Sequence, residues 1–133
     1  MNPEDFKTPA LQTSSASGVS IVYLTVDTEE HATRFIKDLF KNKLCAAVTL
    51  QEGGFERSYL KFGRPSTESS RMSLEITTEN GKVTELVDYI NHNNPTEYDY
   101  PVPNVTVLPV ADGNKAYLDW VKTNSGTGLK MNA

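Results

Sequence analysis

The sequence predicts an α+β fold of the ferredoxin-like kind: an antiparallel sheet with both main helices on one face, plus a short C-terminal helix. Three observations predict it. Short β-branched runs alternate with two segments of helical periodicity. One run, Arg71 to Thr77, alternates apolar and polar residues strictly. Turn residues separate the segments into the order β-α-β-β-α-β, and right-handed crossovers fix the hand.

The first strand is VSIVYLTV, Val19 to Val26, a β-branched run bounded by Gly18 and Asp27. The first helix follows in DTEEHATRFIKDLFKNK. Ala32, Phe35, Ile36, Leu39 and Phe40 fall at the i, i+3, i+4, i+7, i+8 spacing of one helix face. Asp27 with Glu30 three residues on reads as a capping box. Glu29 and Glu30 suit the positive start of the helix dipole, and Lys41 and Lys43 its end.

Cys45 to Gln51 reads as the second strand, ended by Gly53-Gly54. Arg57 to Phe62 is a further strand, and EGGFE between them is short enough for a bulged hairpin. RPSTESS reads as a loop. In Arg71 to Thr77, Met72, Leu74 and Ile76 lie on one face and Ser73, Glu75 and Thr77 on the other. This predicts one face in a core and one in a polar setting, with Tyr23 and Thr25 joining the polar face. Water or a second copy of the chain could cover it.

Asn80-Gly81 makes a turn. Val83, Leu86, Val87 and Ile90 then define a second amphipathic helix. NNPTEYDYPVP is a loop, because its prolines cannot continue that helix. NVTVLPV is the last strand, and NKAYLDWVK a short final helix with Asn114 as N-cap. Met1 to Gly18 is too polar to offset its ordering entropy and reads as a disordered tail; residues 124–133 read as a flexible one. The folded domain is placed at residues 19–123.

Composition narrows the function. One domain fits 133 residues, and the net charge of −4 argues against a nucleic-acid partner, which needs a basic patch. No apolar run reaches the roughly 18 residues of a membrane span. The N-terminal stretch lacks the apolar centre of a secretory signal, and its acids are wrong for a transit peptide. With a single cysteine no internal disulfide framework exists, so the expected location is the reducing cytoplasm.

Candidate chemistry is sparse. Cys45, His31 and His92 are the soft or borderline metal ligands, and none sits at zinc-site spacing. Each also has an ordinary reading: Cys45 as a small core hydrophobe, His31 as an exposed first-turn residue, His92 as a cation welcome at a helix C-terminus. No nucleophile elbow and no phosphate-binding loop occurs, so catalysis is not expected. EYDY, Glu97 to Tyr100, could bind a ligand or be a solvated acidic loop. The aromatic pairs that RNA-recognition domains place on central strands are missing.

Four segments in fixed order carry a resemblance. They are KLCAAVTL (Lys43 to Leu50), SYLKFGR (Ser58 to Arg64), the loop of Asp99, Tyr100, Val102 and Pro103, and above all LPVADGNKAYLDWV, which starts at Leu108. From about Ser20 to Lys122 the chain resembles the CutA family of divalent-cation tolerance proteins. The resemblance implies a tight homotrimer, arranged like the PII signalling proteins. It implies a non-enzymatic role in tolerance of divalent metals, copper among them, with weak binding of Cu²⁺ or another divalent cation. The last helix would then lie near a subunit junction. Tyr59, Arg64, Tyr98, Tyr100, Tyr117 and Trp120 would line an inter-subunit cleft. The alternative it leaves open is a PII-like signalling or anchoring module that binds a small ligand in those clefts. The family's Cys after the first strand's Thr is absent here, where Val26 and Asp27 stand, and the Cys of its Leu-Ala-Ala-Cys run is Ala47.

Overall fold

A computed structural model describes residues 16–26, 28–52, 56–69, 72–93 and 104–125. Among these residues six strands and three α-helices follow in the order β1 (Val19–Val26), α1 (Glu29–Lys41), β2 (Ala47–Gln51), β3 (Glu56–Lys61), β4 (Arg64–Ser69), β5 (Met72–Glu79), α2 (Val83–His92), β6 (Val105–Pro109) and α3 (Lys115–Asn124). The main sheet has four strands in the order β2-β5-β1-β6, each pair antiparallel. This is the split βαβ arrangement expected of a ferredoxin-like fold.

The core forms where the patterns predict except at Phe40, which the α1 spacing puts on the apolar face and which stands exposed at the end of the helix. Val22, Leu24 and Val26 of β1 meet Leu74 and Ile76 of β5. Ala32, Phe35 and Leu39 of α1 and Leu86 and Ile90 of α2 cover them in the same cluster. Both helices therefore share one sheet face. The rings of Phe35 and Tyr89, 5.7 Å apart, tie the two helices together.

Three local readings are corrected. The N-cap of α1 is Thr28, whose Oγ1 accepts from the His31 N–H at 3.1 Å. It is not Asp27, which lies outside the described residues. β2 begins at Ala47 and not at Cys45. Lys43, at φ 54°, ends α1 in a left-handed turn: its N–H reaches Phe40 O, and the Leu44 N–H reaches Leu39 O. That paired closure is a Schellman motif, and it carries the chain past Cys45 before pairing begins.

RPSTESS is not a loop: Arg64–Ser69 is β4, and it pairs with β3 in a separate two-stranded sheet. β3 accordingly does not form a hairpin with β2. The turn is Phe62-Gly63, at φ 52° and φ 77°. Two consecutive positive φ values are what a two-residue hairpin needs to match strand twist. Gly63 adopts its value freely; Phe62 does so at a cost of about 1–2 kcal/mol.

At the C-terminus α3 runs to Asn124, and Ser125 is fully buried. Its Oγ donates to Val121 O and accepts from the Glu79 N–H. At the other end Ser17 is buried, its Oγ bonding the Val19 N–H and Val110 O.

Candidate functional site

The face of the main sheet away from α1 and α2 carries side chains of opposite parity. Register sets them in rows. Thr49, Glu75, Tyr23 and Thr106 stand side by side across four strands, because Glu75 pairs with both Thr49 and Tyr23, and Tyr23 also with Thr106. Ser73 and Thr25 pair in the next row, where Asn104 Nδ2 donates to Thr25 Oγ1 at 3.1 Å. The Tyr23 hydroxyl donates to Glu75 Oε1 at 2.8 Å. That bond, with the neighbouring negative charge, raises the Tyr23 pKa above its ordinary value.

α3 covers only one end of this face. Leu118 and Val121 pack on Val19, with Ala46 and Val110 beside them. Residues three apart on a helix share a side, and the other side of α3 points outward. There Tyr117 and Trp120 stack, centroids 5.9 Å apart and planes at 21°, each still 45% exposed. Leu108 of β6 is exposed to 47%. On the hairpin, Leu60 and Phe62 are exposed to 68% and 89%, and Arg64 is exposed next to them.

The expected cleft residues are thus described in part. Tyr117 and Trp120 come together; Arg64 sits at the hairpin turn. The side chain of Tyr59 and the whole of Tyr98 and Tyr100 lie outside the described residues. Leu60, Phe62 and Leu108 were not singled out from sequence. Only their exposure marks them, and exposure is set by tertiary packing.

The metal candidates occupy separate places. Cys45 is 2% exposed, and burial pushes its thiol up to about 12. A thiol held protonated is a poor ligand, since thiolate is the binding form. His31 sits at the third position of α1, its N–H used by the cap. His92 ends α2, exposed, with Nδ1 2.8 Å from Asp88 O and 3.5 Å from Asp88 Oδ1. Among the described residues no group of three or more His, Cys, Asp or Glu converges as a metal cage.

Fold and site together define a small ferredoxin-like α+β protein with an inserted hairpin, an open hydroxyl-rich sheet face and an outward aromatic pair. The chain matches the CutA1 divalent ion tolerance protein family over residues 20–124, and it belongs to that family. The divalent-cation tolerance protein CutA of Thermus thermophilus is 30% identical over 106 residues, covering 80% of this chain and 97% of that protein. A solved structure of the Cut A1 divalent cation tolerance protein from Thermus thermophilus superposes with a TM-score of 0.71 at 29% identity, over 81% of this chain and 99% of the other. The crystal structure of CutA1 from Oryza sativa gives 0.69 at 30% identity, over 80% and 93%. The chloroplastic CutA 1 protein of Oryza sativa is longer: the match, 29% identical over 85% of this chain, spans 60% of its length.

Proposed function

We propose that this chain is a non-enzymatic protein of divalent-cation tolerance that works as a homotrimer and binds divalent cations, Cu²⁺ among them, weakly. Family membership supports the tolerance role. The observation that carries the assembly is the set of large apolar side chains exposed on a single chain: Leu60, Phe62, Leu108, Tyr117 and Trp120, with Phe40 of α1 exposed as well. A 133-residue protein rarely leaves this much aromatic and aliphatic surface to water unless a partner covers it. A PII-like arrangement, with the open sheet face turned inward, supplies the partner from the same chain. The buried free thiol of Cys45 suits a reducing compartment, and we place the protein in the cytoplasm.

Weak metal binding is the form that suits these residues. No three-donor cage exists among the described residues, but Asp88 and His92 stand one helical turn apart on the exposed end of α2. Nδ1 of His92 faces a carbonyl and so carries the proton, which leaves Nε2 as the ring donor; a lone imidazole with a carboxylate nearby binds weakly and favours Cu²⁺ over other first-row divalent ions. Isothermal titration of the metal-free protein with Cu²⁺ and Zn²⁺ tests this. Uptake of Cu²⁺ that weakens in His92→Ala supports the reading. A trimer that binds neither metal removes the metal half of it, and small-molecule binding at clefts near Arg64, Tyr117 and Trp120 becomes the reading to test.

A further inference from the structure

We infer that α3 is a strap that opens from the sheet while the rest of the domain stays folded, and that Ser17 and Ser125 are the two latches that hold it shut. The inference goes beyond the trimer reading and does not depend on it. α3 stands apart from the main core. Its Leu118 and Val121 pack on Val19, with Ala46 and Val110 beside them, and none of these five residues belongs to the cluster that α1 and α2 cover. A ten-residue helix is marginal in water by itself, so α3 persists only while it is docked. β6 ends at Pro109, and residues 111–114 run exposed to the start of the helix. Among the described residues their hydrogen bonds are local: Gly113 N–H to Asp112 Oδ1 at 2.8 Å, and Leu118 N–H to Asn114 O at 3.1 Å. Such a segment can absorb a change of direction without breaking the sheet.

What fixes α3 besides Leu118 and Val121 is polar and buried. At its entrance the Ser17 Oγ accepts from the Val19 N–H at 3.1 Å and donates to Val110 O, tying the residue after β6 to the start of β1. At its exit the Ser125 Oγ donates to Val121 O at 2.6 Å and accepts from the Glu79 N–H at 3.3 Å, tying the last turn of α3 to the end of β5. Ser17 is 5% exposed and Ser125 0%. Removing a buried hydroxyl leaves its partners desolvated and unpaired, so each latch counts for more than an exposed bond would. Lys122 closes the same side. A Cβ on Gly18 would stand 2.9 Å from Lys122 Cε, and Gly18 holds φ 76°, so the strap lies on residues 17–19 where only glycine leaves room. Opening would carry Tyr117 and Trp120 away from the sheet and bare Val19, Ala46 and Val110. Whatever grips the aromatic pair in its closed position therefore binds with an affinity reduced by the fraction of chains that stand open. The latches set that fraction.

The test is hydrogen exchange of the full chain at low concentration, read by mass spectrometry. Peptides from α3 should exchange through local opening, faster than those around Leu74, Ile76, Leu86 and Ile90, which fill the main core. Ser17→Ala and Ser125→Ala should each speed α3 exchange about tenfold and leave those core peptides unchanged. A serine that merely stabilised the whole fold would speed all regions together. Trp120 is the only Trp in the chain, so its fluorescence follows α3 while far-ultraviolet circular dichroism follows the whole fold. In urea the Trp120 transition should come first, and the gap should widen in both variants. Should Ser17→Ala not fold, Ser125→Ala carries the test alone. α3 amides that exchange only in step with the core, in the wild type and in the variants, overturn the strap. An α3 rate that neither variant changes overturns the latches. Both results leave the trimer reading standing, because the mass in solution is read separately.

Discussion

Trp120 stacks on Tyr117 at a centroid distance of 5.9 Å on the outer side of α3, while Leu118 and Val121 hold the helix to the sheet from its inner side. An aromatic pair this exposed contributes little to the fold of one chain. Trp120→Ala should cost about 1 kcal/mol of single-chain stability, the scale of an aromatic pair. A fully buried Trp would cost about 3–5 kcal/mol. Association should weaken far more than folding does. Urea denaturation at low concentration, beside light scattering, separates the two. A loss of folding stability on the buried scale would show that α3 packs differently.

The hairpin turn gives an opposite pair of effects. Phe62 holds φ 52°, where a side chain with Cβ is strained, and Gly63 holds φ 77°, where it is not. Phe62→Asn should stabilise the β3–β4 hairpin by about 1 kcal/mol, and Gly63→Ala should weaken it by about the same amount. Hydrogen exchange of the hairpin amides reads both. If Phe62 also docks on a neighbour, Phe62→Asn slows exchange and weakens assembly at once. Parallel changes in the two would contradict that role.

Cys45 makes stability fall in alkali. The folded thiol is held at about 12 against an ordinary 9.0, because burial penalises the thiolate. A raised folded value means that the folded state keeps its proton longer than the unfolded one. Below 9.0 the group adds no pH dependence; between 9.0 and about 12 stability is lost as the unfolded thiol ionises. Cys45→Ala should lose less stability over that window than the parent chain. A thiol reagent should leave native Cys45 unmodified below 9.0. Fast labelling of the folded protein would show the site to be open.

Thr28→Ala should cost about 1 kcal/mol, since it leaves the His31 N–H at the start of α1 without its acceptor. Thermal unfolding measures it. An unchanged midpoint would point to water or Asp27 as an equivalent cap.

What the sequence made legible follows from what each segment buries. β1, α1, β5 and α2 each send an apolar stripe into one core, so period and length gave them away. The polar face of β5 was equally readable, through Ser73, Glu75 and Thr77. That Tyr23 would bond Glu75 was not, because strand register across more than fifty residues is not a local property. β4 was missed because RPSTES has a proline and hydroxyls and no alternation; only pairing with β3 makes it a strand. The cap fell one residue late because Asp27 and Thr28 are both good cap residues. For α3 the pattern allows either Tyr117 and Trp120 or Leu118 and Val121 to face inward, and only the docking on Val19 decides.

The mass of the wild-type protein in solution, measured by light scattering across a dilution series, tests the central claim most directly. The account predicts three times the chain mass, holding to low concentration. A chain mass of 14.7 kDa at every concentration would contradict it. The exposed aromatic pair, the hairpin tip and the open sheet face would then be features of a monomer.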